Sequence, residues 1–360
     1  MTRALLPGFL LLAALGCASS PIGGEEESEG RAELLRLSVG PDQRAFIELS
    51  RSVALKLPAD GRESLAWDLA LQGRSIFTNG GVSGPGSAAA FGPLSAPTFL
   101  SDTAPDTPRL FTDRAGGALI DWYFYAGNTH RVLSRYHVYG LRDGERLFKL
   151  QLLDYYETKE AALVSAQYRI RFAEVFPDGS RGETREVAGI DASVSTGTGP
   201  ADTPSACLDL DSPEVLALTV AEAAARRDWH LCFRREAVAV NGGVSGPRGV
   251  EAVDLQAADT PSETQQQIEE RDVATELPAF DAVDHEVLSD PTLAWQADGV
   301  ATAFGARWLE PGPPPLRPSD SVWLVIAADG VSKYLLRFEE LRGDPARGPA
   351  QLSLRSKPVR

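Results

Sequence analysis

Residues 79–85 read Asn79-Gly80-Gly81-Val82-Ser83-Gly84-Pro85, and residues 241–247 read Asn241-Gly242-Gly243-Val244-Ser245-Gly246-Pro247. Seven consecutive identities at a spacing of 162 residues indicate an internal duplication, which constrains the architecture before any local prediction is made. The match extends upstream at the same spacing, where Trp67-Asp68-Leu69 corresponds to Trp229-His230-Leu231. The chain therefore contains two copies of one unit rather than an array of short repeats.

Downstream of the repeated motif, the two copies align at a larger spacing of 186 residues. Trp122 then corresponds to Trp308, and Asp143-Gly144 corresponds to Asp329-Gly330. The difference between the two spacings means that the second copy carries about 24 additional residues between its motif and Trp308.

Apolar and polar residues alternate over short stretches of each copy, which is typical of strands with one buried face. Residues 45–57 and 67–78 predict two hairpins, and Asp143-Gly144 has the composition of a tight hairpin turn. Residues 85–117 are rich in Ala, Pro and Gly, and we expect a long loop there, a kind of segment that is often functional. The fold class expected is all-β, with two related β-rich domains built from antiparallel hairpins and little helix.

The chain begins with the features of a secretory signal. An apolar run from Ala4 to Leu15 follows a basic residue and is too short to span a bilayer. The Gly16-Cys17 pair that ends it resembles the lipobox of bacterial lipoproteins, which are cleaved before the Cys and carry lipid on it. The alternative is an ordinary signal peptide with an incidental Cys. We expect a signal over 1–17, a lipid anchor on Cys17 and an acidic, flexible tether over 18–31.

The duplication and the composition divide the rest of the chain. A formal net charge of −15 and the lack of a basic stripe argue against a nucleic-acid partner. The segments expected are a first domain over 32–176, a linker over 177–206, a diverged second domain over 207–345 and a C-terminal tail over 346–360.

Beyond Cys17 the chain contains two further cysteines, Cys207 and Cys232, both in the second copy. An exported chain reaches an oxidising compartment, so we expect them to form a disulfide. By the repeat spacing, Cys232 corresponds to Ala70 and Cys207 to about Phe46. A disulfide would then take the place of a large–small pair of neighbouring core residues. The alternative is two separate buried thiols.

Several elements of the first copy occur in the order and with the gaps of a known family. On these elements the chain resembles the HmuY family over most of residues 45–172, and more faintly over 207–340. The resemblance implies a β-rich fold, a lipid anchor on the outer membrane and the capture of haem, either free or from a haem-carrying protein. The elements are Trp67-Asp68-Leu69-Ala70, residues 79–85, Trp122-Tyr123-x-Tyr125, Val138-Tyr139, Asp143-Gly144 and Lys149-Leu150-Gln151-Leu152-Leu153-Asp154-Tyr155-Tyr156.

Haem iron takes axial ligands from residues such as His or Met, and this chain has four His and no Met beyond the first residue. By position, His130 and His137 are the candidate ligands, because both lie at or near the hairpin that carries Trp122, Tyr123 and Tyr125. The rings of those three residues suit a porphyrin wall. The alternative is that His130 is solvated and His137 lies on a strand face, since lone His residues are usually not ligands. The second copy has neither His at the 186-residue spacing, so only the first would bind haem.

The sequence offers no catalytic set and no metal pattern. The repeated motif departs from Gly-x-Ser-x-Gly at Pro85, and two Cys with scattered His do not form a zinc site. We therefore expect a protein that is not an enzyme: a cell-surface lipoprotein that captures haem. The alternative is a non-catalytic surface binding or structural lipoprotein that has lost haem binding. Two His residues converging on one cavity would favour the first function.

Overall fold

The computed structural model describes residues 32–57, 61–107, 110–193 and 203–360. Within these ranges the fold is all-β, as predicted, and every ladder that joins two named strands is antiparallel. The predicted signal, the tether and the anchor Cys17 lie outside the described residues.

The elements are short apart from four long strands near the chain's middle and end. None of the described helices is long and apolar enough to cross a membrane. The strands are β1 (Glu33–Val39), β2 (Ala45–Glu48), β3 (Val53–Leu55), β4 (Leu69–Gln72), β5 (Ser75–Thr78), β6 (Ala89–Ser95), β7 (Arg114–Gly116), β8 (Tyr123–Ala126), β9 (Arg131–Ser134), β10 (Val138–Asp143), β11 (Arg146–Lys159), β12 (Ala162–Val175), β13 (Arg185–Asp191), β14 (Ser205–Leu208), β15 (Val215–Leu218), β16 (Leu231–Arg234), β17 (Ala237–Val240), β18 (Glu251–Asp254), β19 (Gly299–Ala301), β20 (Ser321–Ile326), β21 (Lys333–Arg342) and β22 (Ala350–Val359). The helices are α1 (Val220–Ala225), α2 (Gln265–Glu269), α3 (Leu277–Ala282) and α4 (His285–Leu288), with 3-10 turns at Gly61–Glu63 and Ala96–Leu100.

Each copy forms one four-stranded sheet of its own, with strand orders β3-β2-β4-β5 and β15-β14-β16-β17. The two sheets have the same pairing: Phe46 lies opposite Ala70 on β2 and β4, and Cys207 lies opposite Cys232 on β14 and β16. The correspondence predicted from the repeat spacing is therefore confirmed, and Cys207 and Cys232 form the predicted disulfide.

The disulfide gives a stability prediction. The variant Cys207→Ser/Cys232→Ser should lose about 3 kcal/mol of unfolding free energy, because the bond constrains the unfolded chain over a separation of 25 residues. Urea denaturation under oxidising conditions measures the loss. The variant Cys207→Phe/Cys232→Ala, which copies the pair at Phe46 and Ala70, should recover part of it by packing. Equal stability of the wild type and the Ser variant would show that the bond contributes nothing.

The two larger sheets combine strands from both copies. In the sheet β1-β22-β21-β20-β6, strand β6 follows the first motif and pairs with β20 of the second copy. In the sheet β13-β12-β11-β10-β18, strand β18 follows the second motif and pairs with β10 of the first copy. The copies thus exchange strands, and neither 32–176 nor 207–345 completes a five-stranded sheet alone.

The exchange is centred on the two-stranded ladder of β7 and β19. Ala115 lies opposite Val300 in this ladder. These residues are equivalent in the two copies, since each stands two positions after a buried aspartate, Asp113 or Asp298. A residue that pairs antiparallel with its own counterpart implies a local twofold axis through the pair. The fold is therefore pseudo-twofold symmetric about this ladder.

The repeated motif forms a turn that requires glycine. Gly81 and Gly243 have φ angles of +62° and +61°, in the left-handed region that glycine adopts without strain. An added Cβ would lie 1.8 Å from the main-chain oxygen of Asp113 or 2.0 Å from that of Asp298. The next residue's N–H donates to the same oxygen, at 3.1 Å and 2.9 Å respectively. The turn therefore closes directly onto the strands at the axis.

A buried asparagine ties each turn to the tryptophan that precedes it. Nδ2 of Asn79 donates to the main-chain oxygen of Trp67 at 2.6 Å, and Oδ1 accepts from the N–H of Gly86 at 3.1 Å. Nδ2 of Asn241 donates to the main-chain oxygen of Trp229 at 2.9 Å. Because both copies use the same hydrogen bonds, backbone geometry accounts for the identity of the two motifs.

Three segments that the sequence assigned outside the sheets contain strands. The predicted C-terminal tail, 346–360, contains β22 between β1 and β21. That prediction is wrong because Leu352 and Leu354 alternate into the core. The predicted linker, 177–206, contains β13, which extends the second large sheet from β12. The predicted loop, 85–117, contains β6 and β7.

The additional residues of the second copy cover one face of the sheet that contains β10–β13. Phe280 and Leu288 are buried against Val138 in a separate apolar cluster. The buried Lys149 donates from Nζ to the main-chain oxygens of Phe280 at 2.9 Å and Val283 at 3.0 Å. Burial lowers the pKa of Lys149 to about 8. The second copy thus supplies the cover for a sheet built mainly from the first.

Strand exchange predicts that the two copies stay together without a covalent link. A protease site inserted between residues 194 and 202 should allow complete cleavage, with both halves still eluting as one species in size-exclusion chromatography. The reason is that each large sheet needs strands from both halves. The halves should separate in denaturant, and separation in native buffer would contradict the exchange.

Candidate ligand-binding cavity

The aromatic hairpin proposed as a porphyrin wall is divided between the core and the surface. Trp122 is buried, and its Nε1 donates to the main-chain oxygen of Glu236 at 2.8 Å. Tyr123 is half-buried beside it, with ring centroids 5.2 Å apart. Tyr125 is exposed, and its hydroxyl hydrogen-bonds Nδ1 of His130 at 3.0 Å. The three rings therefore lie in environments that range from buried to exposed.

His137 lies in a buried ion network. Its Nδ1 is 2.9 Å from a carboxylate oxygen of Asp254, and its Nε2 is 3.0 Å from a carboxylate oxygen of Glu263. Glu263 also pairs with Arg135 and Arg271. Burial alone lowers the pKa of His137, but the hydrogen bonds and charges of the two carboxylates outweigh it and hold the pKa above its usual value. The network fixes the additional residues of the second copy to the first.

The structure does not bring His130 and His137 together. His130 is exposed at the hairpin tip with φ +56°, whereas His137 is 3% exposed and bonded at both ring nitrogens. An axial ligand must offer iron a free nitrogen lone pair. His137, whose two ring nitrogens are both hydrogen-bonded, does not offer such a lone pair in this arrangement, and the assignment of His130 as an iron ligand stays a prediction. Sequence reasoning missed Glu263 because it lies more than a hundred residues from His137 in the chain.

A second group, which the sequence spacing did not reveal, surrounds His230. Asp209, Asp211 and His230 place ligand-type atoms within 4.8 Å of one another. Arg248 contacts the same group, with Nη2 3.1 Å from Asp211 and 2.8 Å from Asp143. Burial and the charge of Arg248 lower the pKa of His230. The guanidinium of Arg248 pairs with these carboxylates, and Nδ1 of His230 accepts a hydrogen bond from the N–H of Leu210 at 3.1 Å, so the group ties several parts of the fold together.

A cavity of about 660 Å³ lies where the two copies meet. Its volume is within the range of small-molecule binding sites, roughly 300–1,000 Å³. The first copy contributes its motif and β7, and the second contributes its own motif, Trp229 and the disulfide-bonded Cys232. The sequence identified both motifs as copies of one repeat, but their meeting at one cavity depends on the strand exchange.

The twofold axis relates the cavity to an equivalent site at the first copy's sheet. We call the cavity the open position and the equivalent site the filled position. At the filled position, Phe46 and Phe77 pack with Trp67 in one apolar cluster, and Val300 packs against it. Two large-to-small differences among the lining residues therefore keep one position open while the other is closed. Ala239 and Ala115 stand at the open position in place of Phe77 and Val300, and the Cys207–Cys232 disulfide replaces the Phe46–Ala70 pair.

Two arginines and one aspartate supply the charge at the open position. Arg114 and Arg234 line the cavity together with Asp113. Asp113 is buried, and its carboxylate accepts from the N–H of Thr78 and the N–H of Ala303, both at 3.0 Å. Burial raises the pKa of Asp113 despite these bonds. Because backbone donors engage this carboxylate, a polar ligand would meet mainly the guanidinium groups.

Asp298 repeats this arrangement at the second motif. Its carboxylate accepts from the N–H of Val240 at 3.0 Å and from the hydroxyl of Ser245 at 2.6 Å. Burial raises its pKa to about 6 from an ordinary value of 3.8. The folded state therefore favours the protonated acid, whereas the unfolded state ionises at lower pH.

Asp298 gives a pH-dependent stability prediction. A folded pKa above the unfolded one means that stability is present below about pH 4 and is lost as pH rises to about 6. The loss should be about 3 kcal/mol, at roughly 1.4 kcal/mol per pKa unit. Asp298→Asn keeps an acceptor oxygen but cannot ionise, so its stability relative to wild type should rise by this amount between pH 3.5 and pH 7. Chemical denaturation measures it, and the exposed Asp259→Asn is the control. A constant difference between Asp298→Asn and wild type across this range would contradict the assignment.

The fold and cavity define a class of protein: a two-copy antiparallel β protein with a ligand-sized cavity between the copies. No protein-family model matches the chain, and no curated protein matches it. Among solved structures, one neighbour is an apo HmuY analog from Tannerella forsythia, at 14% identity over 59% of this chain and 97% of that chain, with a TM-score of 0.15. This weak neighbour establishes neither family nor function.

Proposed function

We propose that the chain is an exported, lipid-anchored, non-catalytic protein that captures a small molecule in the cavity between its copies. The observation that supports this is the difference between the open and filled positions. Empty space in a protein interior costs packing energy, and the filled position shows that this fold can close the same space with Phe77 and Val300. A ligand is the best reason for small residues at the open position alone.

The proposed export and anchoring are based on the first residues of the sequence. The signal-like residues 1–17 would direct export, and lipid on Cys17 would hold the protein at a membrane. The acidic residues 18–31 would keep the folded part away from the lipid surface. The HmuY resemblance implies that this membrane is the outer one.

Haem is the ligand that the HmuY resemblance implies, and it is therefore the first probe. None of the described residues that line the cavity is His, Met or Tyr. Haem bound there would be held through its porphyrin body and propionates rather than through His130 or His137. The alternative function, a structural or protein-binding lipoprotein, requires that no small molecule enter the cavity.

The test copies the filled position into the open one. Ala239→Phe places the ring of Phe77 at the equivalent site, so it should abolish binding of every probe that enters the cavity. The probes are haem, iron-free protoporphyrin IX and the neutral dye N-phenyl-1-naphthylamine, titrated into residues 18–360 with calorimetric and fluorescence readouts. Circular dichroism establishes that the variant is folded.

The reciprocal variant, Phe77→Ala, is the matched control. It should leave the first site intact and create a second, at a stability cost of about 3–5 kcal/mol. His130→Ala and His137→Ala should leave haem binding unchanged. Binding that survives in folded Ala239→Phe would contradict the proposed site. No binding by any probe would favour the structural or protein-binding alternative.

A further inference from the structure

We infer that the cavity selects ligands that combine an apolar body with an anionic group, such as a carboxylate or a sulfonate. This inference rests on the proposed function and adds the chemical class of the ligand. Ala239 and Trp229 illustrate the apolar part of the lining, and Arg114 and Arg234 supply its cations. An anion that leaves water for such a site is stabilised by paired, charge-assisted hydrogen bonds.

The two arginines reach the cavity from different copies. Arg114 begins β7 at the twofold axis, and Arg234 ends β16. Nη1 of Arg234 donates to the main-chain oxygen of Thr203 at 2.8 Å, a neutral partner that leaves the charge of the guanidinium in place. Asp113, the carboxylate among the described lining residues, is bonded to backbone N–H groups through both oxygens. The charge offered to a ligand is therefore positive.

The cations distinguish the open position from the filled one. By the repeat, Gly299 stands at the filled position in place of Arg114, and Gln72 stands in place of Arg234. The filled position has its own cation, Arg44, but it stacks on the Phe77 ring at 4.0 Å from the centroid and is part of the filling. Where the cavity is open, two arginines accompany the small side chains. Space and positive charge thus occur together, as a ligand with an anionic group requires.

The net charge of the whole chain helps to locate the source of any preference for anions. A formal net charge of −15 repels anions at long range. A preference for an anionic ligand must therefore arise from the arginines at the cavity. It should weaken as added salt screens the charges.

Two dyes that share one skeleton separate charge from shape. 8-Anilinonaphthalene-1-sulfonate carries a sulfonate, and N-phenyl-1-naphthylamine is the same skeleton without it. The wild type should bind the sulfonate about tenfold more tightly or better, as expected for charge-assisted hydrogen bonds. Arg114→Gln/Arg234→Gln should reduce the preference to about twofold without weakening the neutral dye. Arg114→Lys should retain part of it.

Controls assign each outcome. Arg36→Gln removes the same charge from an exposed residue of β1, and it should not change the preference. Equal affinities for both dyes in the wild type, or an equal loss in Arg36→Gln, would overturn the inference while leaving the cavity as the site if Ala239→Phe abolishes binding. Failure of both dyes to bind in an Ala239-dependent manner would overturn the proposed function itself. Circular dichroism of each variant separates loss of binding from loss of folding.

Discussion

A buried carboxylate shared by the two copies is the interaction on which the centre of the molecule depends. Asp113 accepts a hydrogen bond from Thr78 of its own copy and another from Ala303 of the second copy. Its main-chain oxygen also closes the turn at Gly81 through the next residue's N–H. A buried carboxylate that lost these donors would be costly. The turn, strand β7 and the second copy must therefore keep their relative positions, and with them the shape of the cavity.

The features that could be predicted from the sequence are those fixed within one copy. The repeat spacing predicted that Cys207 lies opposite Cys232, at the places of Phe46 and Ala70. The prediction is confirmed because the paired strands have the same register in both small sheets. Alternation of apolar and polar residues likewise identified the small hairpins. The identity of the two motifs likewise indicated a shared local structure, and Gly81 and Gly243 take the same left-handed conformation.

The features that could not be predicted depend on contacts between the copies. Nothing in the order of the strands tells whether β6 pairs with β20 or with β10, so the exchange was missed and β22 was assigned to a tail. His137 drew attention through its aromatic neighbours, but its partner Glu263 comes from residues that only the second copy has. The cavity was not visible either. The small size of Ala239 and Ala115 becomes informative only when the twofold axis relates them to Phe77 and Val300.

Strand exchange within one chain also has a consequence for the binding sites that a duplicated protein can have. Two identical subunits related by the same axis would carry either two receptive cavities or two closed ones, since any substitution would occur in both. Fusing them frees each half to diverge. One half can then keep the large side chain of Phe77 in a packed cluster, while the other has the small side chain of Ala239 at the equivalent place. The single chain can therefore have one open and one filled position, which a symmetric dimer of identical subunits cannot have.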